Sequence, residues 1–347
     1  MACSFAADLP AIAHAAVAAP SADNRHCFEL RATADRLLLF GDARHVADPY
    51  HKRVLNHVSF GAVVENVVIR AARLGHQASV TWFPDPGRPA LIAELRLSSA
   101  DPLESALDSA IAARHTNRRV RYTGPGLADE DLRRIQAQVG SIDGVTLHLL
   151  DSAAKRAQLL RLVRIAEAER FNTRALHEDL FSAVRFDVGW KATAETGLPP
   201  GALGVEAGMR SAFGLLRHWP LMNVLRQIGL HHVLAFRAAS LPCRLAPHCG
   251  VLTTCLPIER GALAVGMALE RIWLVATSLG LAFQPFAGAA LLSLADYREV
   301  PVRTGERLRN GWLEITTETP IMVFRMGHAI APMVRTGRLP PESVLRS

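Results

Sequence analysis

The spacing of apolar residues along the chain predicts helices and strands of ordinary length in a mixed order. Apolar positions at helical spacing predict helices at 8–19, 54–74, 102–113, 128–138, 152–170 and 259–279. Short β-favouring runs between turn residues predict strands at 27–33, 36–40, 77–83, 91–97, 145–150, 249–256 and 320–326. Because these elements show no regular βαβ rhythm, we predict an α+β fold. No glycine-rich dinucleotide motif follows any predicted strand, which argues against a Rossmann site.

One long segment lacks a clear hydrophobic period. Residues 171–245 are rich in Trp, Phe, His, Gly and Pro, and we expect short helices there. Long irregular insertions often cover a site, so this segment is predicted to act as a cap or lid. Its Trp190, Phe213, Trp219 and Met222 could line a substrate pocket, although packing within the lid is the more ordinary role of such residues.

Two distant stretches share one helical pattern. Residues 61–75 read GAVVENVVIRAARLG and residues 266–280 read GMALERIWLVATSLG. Five of the fifteen aligned positions are identical, including Glu65 with Glu270 and the closing Leu-Gly pair. An internal duplicate indicates that one chain contains two related halves, as a fused dimer would.

Composition narrows the classes of partner. The 347 residues are 50% apolar and 20% charged, enough to bury a sizeable core in one large or two ordinary domains. The net charge is +7, and the cations are nearly all arginines, whose fork of donors suits phosphates and carboxylates. They are scattered and aromatic residues are few, so we expect small-molecule rather than nucleic-acid partners.

The cysteines and the apolar segments indicate the cellular compartment of the protein. Five cysteines without framework spacing, Cys3 among them, predict reduced thiols and a cytoplasmic protein. The alanine-rich N-terminus has no basic start, and Glu270-Arg271 interrupts the apolar helix at 261–280; we therefore expect neither a secretion signal nor a membrane partner. The spacing of His231, His232, Cys243, His248, Cys249 and Cys255 fits no standard zinc finger, so no metal is predicted.

Two short segments could bind an anionic ligand or turn the chain. Residues 114–119 read RHTNRR just after a helix, and three arginines with a threonine suit a phosphate. The same pattern also occurs as a solvated helix cap, the more common case when it stands alone. Residues 20–24 read PSADN after the first helix, which by itself predicts an ordinary turn.

Together these pieces resemble the nitroreductase-like flavoproteins, which are normally homodimers with FMN in the subunit interface. The resemblance is closest to the twin-domain branch, in which two fused halves hold one flavin between them. It covers most of the chain except 171–245. The first half carries a Pro-Ser-x-x-Asn turn without an arginine segment, and the second half carries the arginine segment without that turn. A fused dimer that kept one of two sites would show this complementarity.

The resemblance implies a set of cofactor-binding residues, with FMN as cofactor. Arg114 and Thr116 would bind the phosphate, and Arg118 would lie near the N1/O2 edge of the flavin. The remaining residues are the turn residues Pro20, Ser21 and Asn24, then Gln284 and Pro285 in the stretch expected to offer a backbone amide to N5, and the late cations Arg335 and Arg338. The turn departs from the family pattern because His26-Cys27-Phe28 replaces Gln-Pro-Trp, which puts one side-chain contact in doubt.

The implied function is an FMN-dependent NAD(P)H oxidoreductase with ping-pong hydride transfer to an unidentified organic acceptor. We expect a nitroreductase-like half at 1–100 and a second half at 101–347, with the insertion at about 171–245, in a monomeric pseudo-dimer. An alternative is an FMN-binding or storage protein with a lid-occluded site and little turnover. A third possibility, an interaction domain with a decayed site, would bind no flavin.

Overall fold

The computed structural model describes residues 5–295 and 297–346; Cys3 lies outside the described residues. The helices are α1 Leu9–Ala18, α2 Ala43–Ala47, α3 Tyr50–Arg73, α4 Ala106–Ala113, α5 Asp129–Ala137, α6 Ala153–Asn172, α7 Arg174–Ser182, α8 Arg210–Leu216, α9 Trp219–Leu225, α10 Leu230–Ala235, α11 Leu241–Arg244, α12 Ile258–Ser278, α13 Gly288–Leu291 and α14 Val302–Trp312. The strands are β1 Phe28–Ala32, β2 Arg36–Gly41, β3 His76–Trp82, β4 Leu91–Ser99, β5 Val145–Leu149, β6 His248–Thr254, β7 Ala282–Phe286, β8 Thr319–Gly327 and β9 Leu345–Arg346.

The strands form two sheets that share one topology, and this confirms the predicted α+β fold with two related halves. The first sheet has the order β3-β4-β2-β1-β9 and the second has β7-β8-β6-β5. Taking β1 to β4 as equivalents of β5 to β8, the two orders are the same, and α3 and α12 occupy equivalent places between the second and third strands. The pairings among these eight strands are all antiparallel.

The two duplicate helices end in the same way. Gly75 follows α3 with φ 84° and Gly280 follows α12 with φ 70°. A left-handed residue at this position stops a helix, and glycine adopts it without a steric penalty from Cβ. The Leu-Gly pair noted in both repeats is therefore a shared helix-ending signal.

The halves meet where α3 crosses α12, and the contact is made by glycine backbone. A Cβ on Gly61 would overlap the carbonyl oxygen of Leu263, and a Cβ on Gly266 would overlap that of Val58. Each of these atoms would also lie 3.0 Å from the Cα of the other glycine. The contact is self-complementary, because Val58 and Gly61 correspond to Leu263 and Gly266 in the repeat. Such reciprocity is the mark of a twofold interface.

The chain end links the halves further, since β9 pairs in parallel with β1 of the first sheet. The second half thus contributes a strand to the first, and the division at residue 100 stays a prediction. Sequence patterns did not predict β7, β9 or α14. β7 contains Pro285, a residue that strands disfavour, and β9 has only two residues. Neither is therefore recognisable as a strand from its sequence.

The largest difference between the halves is the connection between the first two strands of each sheet. In the first half β1 and β2 form a hairpin, whereas in the second half residues 150–247 separate β5 from β6. This connection holds the long α6 and then the short helices α7 to α11, as predicted for the region without period. The connection thus contains α6 as well as the insertion expected at about 171–245, and the bounds of the insertion stay a prediction.

One described helix, α12, has the length and apolar composition of a membrane span. Most of it is enclosed, since 78% of its most apolar window is buried inside the protein. Its Trp273 stacks on Phe283, with ring centroids 4.9 Å apart, and Phe283 stacks on Phe324 at 4.8 Å. The helix is therefore the core helix of the second half.

Candidate functional site

A cavity of about 760 Å³ opens between the two halves, beneath the insertion. This volume lies within the range of about 300 to 1,000 Å³ typical of small-molecule and cofactor sites. Its walls come from the α1–β1 turn and α3 of the first half, from α12 and the β7 region of the second half, and from the insertion. Six of the ten predicted cofactor residues lie on these walls: Pro20, Ser21, Thr116, Arg118, Gln284 and Pro285.

The first-half wall is a tight turn held by the long helix. The backbone N–H of Ala22 donates to Ser59 Oγ on α3 at 3.0 Å. Asp23, Asn24 and His26 all have positive φ, of 52°, 56° and 49°. Three left-handed non-glycine residues in one turn store strain, and such strain persists only where the surroundings over-determine the conformation.

Two arginines clamp the end of α1 just before this turn. Arg114 Nη2 donates to the carbonyl of Ala18 at 2.6 Å, and Arg338 Nε donates to the same carbonyl at 3.3 Å. Arg114 also lies 3.0 Å from Glu270 and stacks over Trp273, with a buried side chain. Burial raises the pKa of Glu270 to about 7, against the lowering effect of Arg114. Neither arginine is on the cavity wall, so their direct phosphate contact stays a prediction, and the geometry makes them positioning residues for the turn.

Two other predicted residues also lie off the wall. The Asn24 amide donates to the carbonyls of Glu195 at 2.9 Å and Gly197 at 3.2 Å, and its oxygen accepts from Arg338 Nη1 at 3.1 Å. Asn24 therefore ties the turn to the base of the insertion. The Arg335 side chain is exposed, and its carbonyl accepts from the Thr193 hydroxyl at 2.9 Å.

The second-half wall brings the arginine segment beside β7. Thr116 forms a parallel bridge with Phe283, and the N–H of Asn117 donates to the Phe283 carbonyl at 3.0 Å. Thr116 and Arg118 thereby both reach the cavity, while Arg114 between α4 and this segment turns into the protein interior. Thr116 and Arg118 are two positions apart in extended backbone and therefore share a side, whereas Arg114 is the residue that ends α4 and is directed by its contact with Glu270.

Arg118 is the cavity cation that lacks a carboxylate partner in the described part of the chain. The other cations of the wall are paired: Lys52 with Asp179, Arg237 with Glu206, and Arg170 with Glu167 at 3.2 Å. Arg118 donates only to the carbonyl of Ala202, at 3.3 Å. Burial lowers its pKa, while the Asp23 carboxylate acts in the opposite direction. A half-buried guanidinium with open donors favours an anionic ligand.

Gln284 is held by the buried side chain of Arg325 on β8. Gln284 Oε1 accepts from Arg325 Nε at 2.9 Å and from its Nη2 at 2.7 Å. Arg325 also donates to the carbonyls of Val120 and Pro242, both at 2.9 Å, and stacks over Tyr122. This single side chain fixes β7, the end of the arginine segment and α11 together. The signal for it in the sequence was an arginine within the otherwise apolar run of β8.

Several ionisable side chains that sequence reasoning missed also face the cavity. Burial raises the pKa of Asp23, with Arg170 opposing and Asp179 reinforcing the shift. His51 and Tyr297 stack with ring centroids 3.8 Å apart, and burial lowers the pKa of His51 and raises that of Tyr297. These residues come from separate elements, so no spacing in the sequence connects them.

The described cysteines do not form a metal site. Cys27, Cys243, Cys249 and Cys255 carry free thiols, and Cys249 Sγ donates to the carbonyl of Cys243 at 3.4 Å. No group of three or more metal-ligating side chains occurs among residues 5–295 and 297–346.

Comparisons with known proteins give distant similarities only. No family model matches the sequence, and no curated protein matches it. Among solved structures, an FMN-dependent nitroreductase from Mycobacterium smegmatis in complex with NADPH is 18% identical, with a TM-score of 0.39 over 70% of this chain and 97% of that one. The NADPH:FMN oxidoreductase from Vibrio harveyi complexed with NAD+ is 12% identical, with a TM-score of 0.38 over 70% and 77%.

A nitroreductase with bound FMN from Desulfitobacterium hafniense is 15% identical, with a TM-score of 0.35 over 71% of this chain and 99% of that one. Similarities with TM-scores this low establish neither a shared fold nor a shared function. The function of this chain is therefore argued from its own residues.

Proposed function

We propose that the chain is an FMN-dependent NAD(P)H oxidoreductase that binds one FMN in the cavity between its two halves. The observation that supports this proposal is that predicted flavin-binding segments from both halves line one cavity. Pro20 and Ser21 from the first half and Thr116, Arg118, Gln284 and Pro285 from the second half line the same cavity. In sequence these segments resemble flavin-binding segments, and they are up to 265 residues apart in the chain.

The chemistry of the walls fits FMN, which combines a flat apolar ring system with a phosphate. Apolar side chains including Leu269, Trp273, Phe286 and Met322 line the second-half side of the cavity. Arg118 offers a guanidinium that has no carboxylate partner among the described residues, and Thr116 adds a neutral hydroxyl to the same wall. An anionic group on a ligand would complete the donors of Arg118, and an aromatic ring system would fill the apolar part.

The residues of the chain would bind, orient and protect the cofactor. Thr116 and Arg118 would bind an anionic part, Ser21 would contact it from the other half, and backbone around Gln284 would support the ring. Arg114 and Arg338 would position the turn through Ala18. Bound FMN would supply the two-electron chemistry, and a fixed cation near developing negative charge would favour its reduction.

The acceptor remains open within the class of small organic molecules. Quinones and nitroaromatics are the expected side substrates, and dehydrogenation in the tailoring of a natural product is a further candidate. Asp23 faces the cavity, and burial raises the pKa of its carboxyl group. We propose the chain as a monomeric pseudo-dimer with halves at 1–100 and 101–347.

One observation favours the second candidate, an FMN-holding protein without turnover. The insertion contributes Phe171, Phe213 and Leu216 to the cavity, and Leu216 is buried, so access from the insertion side is restricted. Both candidates require bound FMN, and they differ in whether a hydride donor reaches it.

Mixing the purified chain with FMN and then NAD(P)H separates these functions. Loss of the visible flavin absorbance under anaerobic conditions, with recovery on addition of a quinone, supports the oxidoreductase. Bound flavin that is bleached by dithionite but not by NAD(P)H supports the holding protein. A chain that binds no FMN supports the third possibility, an interaction domain.

A further inference from the structure

The surface of the insertion combines exposed apolar side chains with a one-sided charge. Met209, Leu215, Leu221, Val224, Ile228, Val233 and Phe236 are all exposed, and together they are more than half of the large apolar residues exposed in the described chain. No Asp or Glu occurs from residue 207 to residue 258, whereas five arginines do. An exposed apolar patch of this kind marks an interaction site.

The apolar residues lie at helical spacing on the short helices. Leu221, Val224 and Ile228 are three and four positions apart and follow one side of α9 and the turn after it. Val233 and Phe236 repeat the spacing on α10 and the turn after it. Ile228 is 81% exposed and Val224 65%, so these side chains protrude from the surface. Protruding apolar side chains next to basic ones are typical of helices that lie in a membrane interface.

A second, smaller cavity of about 440 Å³ adjoins this surface and is strongly basic. Arg161 and Arg164 from α6, Arg307 from α14, and His231 and His232 from α10 line it. The three arginines make no ion pair within the described part of the chain. The one carboxylate of the lining, Glu169, accepts hydrogen bonds from Thr173 and from Thr304, the latter at 2.7 Å. The cleft therefore presents free guanidinium groups of the kind that bind phosphate.

The basic cleft and the apolar surface are continuous through α10. His232 lines the cleft, and its neighbour Val233 is exposed while also lining the large cavity. Met209 shares this property, being 53% exposed and part of the large cavity's wall. The large cavity thus borders the apolar surface.

We propose that this surface docks on an anionic lipid bilayer, with the arginine cleft holding a lipid phosphate and the apolar side chains entering the interface. Charge supports the choice of partner, because juxtamembrane arginines each favour binding to anionic lipids. Two copies of this surface would bring arginines together without an acidic partner, which disfavours self-association. The sequence predicted no membrane partner because Glu270-Arg271 interrupts α12 as a spanning helix. Docking at the surface requires no spanning helix, so this proposal departs from that expectation. The proposal does not depend on flavin binding.

The test is sedimentation of the full chain, with and without FMN, in the presence of lipid vesicles. Phosphatidylcholine vesicles are compared with vesicles that contain one quarter phosphatidylglycerol, at low and high salt. We expect at least tenfold tighter binding to the anionic vesicles, lost at high salt. V224S/I228S should weaken that binding about tenfold or more, and so should R161Q/R164Q.

Matched controls keep the result specific. V46S/L103S replaces two residues that are 58% and 62% exposed outside the insertion, and R133Q removes an exposed arginine on α5. Both controls should bind vesicles as the unaltered chain does, and thermal melting should show all variants folded. Equal binding to neutral and anionic vesicles, no binding, or binding only to an acidic protein would overturn the proposal. Vesicle binding by a chain that fails to bind FMN would leave docking intact and refute the proposed function instead.

Discussion

Gly61 and Gly266 face each other at the crossing of α3 and α12, and a methyl group on either would overlap the backbone of the other helix. The helices can approach this closely only where both lack a side chain. The two glycines lie at equivalent positions of the repeat. Their contact is therefore the one expected of two duplicated halves related by a twofold axis. The cavity lies beside this crossing, since Val58 and Leu269 from the two helices line it.

Replacing either glycine by alanine should strongly destabilise the protein. For G61A or G266A we expect a loss of about 3 kcal/mol in the free energy of unfolding, because the added methyl group meets backbone that cannot turn away. Urea titration followed by circular dichroism measures the loss. The matched control is G214A, because Gly214 lies in a helix with open space around it. G214A should leave stability unchanged or raise it by up to about 1 kcal/mol; equal losses in all three variants would refute the account of the crossing.

Arg114 and Glu270 should behave as a coupled buried pair. Removing one partner alone, in R114M or E270Q, leaves a buried group without its counterpart, and we expect each to cost about 3 kcal/mol or more. The double variant R114M/E270Q should cost less than the sum of the two losses, by about 1 kcal/mol or more. A double-mutant cycle from urea titrations supplies these values. Strict additivity would show that the two side chains do not interact in solution.

Arg118 should contribute affinity for FMN without contributing much stability. A charge-assisted hydrogen bond is worth about 1.5 to 3 kcal/mol, so R118Q should weaken FMN binding by about tenfold to a hundredfold. Flavin fluorescence quenching measures the dissociation constant. R121Q, an exposed arginine three positions later, is the control and should bind FMN normally. Unchanged affinity in R118Q would remove Arg118 from the site.

Stability should fall as the pH is lowered, through buried neutral histidines. Burial lowers the pKa of His57 to about 3, with His45 and Arg53 adding to the effect. Below its ordinary pKa of about 6.5 the unfolded chain takes up a proton that the folded chain refuses, so stability is present above pH 6.5 and is lost as the pH falls towards 3. Each such histidine contributes a slope of about 1.4 kcal/mol per pH unit in that window.

The variant H57F tests this slope, because His57 packs among the rings of His45, Phe60 and Phe83 and phenylalanine keeps that packing. Between pH 6 and pH 4 the free energy of unfolding of H57F should fall less steeply than that of the unaltered chain. The difference in slope should be about 1.4 kcal/mol per pH unit. A slope that is the same with and without His57 would show that this histidine is protonated in the folded protein.

Sequence patterns predicted the regular elements well, since long periodic helices such as α3 and α12 carry an unambiguous signal. They also selected the segments that line the cavity, but they did not resolve which side chains face it. Arg114 and Arg118 lie in one short segment, yet Arg114 is buried against Glu270 and Trp273 while Arg118 lines the cavity. These two partners of Arg114 are more than 150 residues away in the chain. Arg325 and Asp23 act through partners that are distant in sequence. Such contacts follow from tertiary packing, which local spacing does not encode.

The central claim is a single flavin site made by two fused halves. The most direct measurement is the flavin content of the purified chain after saturation with FMN and removal of the excess, with protein and flavin quantified separately. The account predicts one FMN per chain, its visible band bleached by NAD(P)H, and FMN binding that is about tenfold to a hundredfold weaker in R118Q. Two FMN per chain, or none, would contradict it.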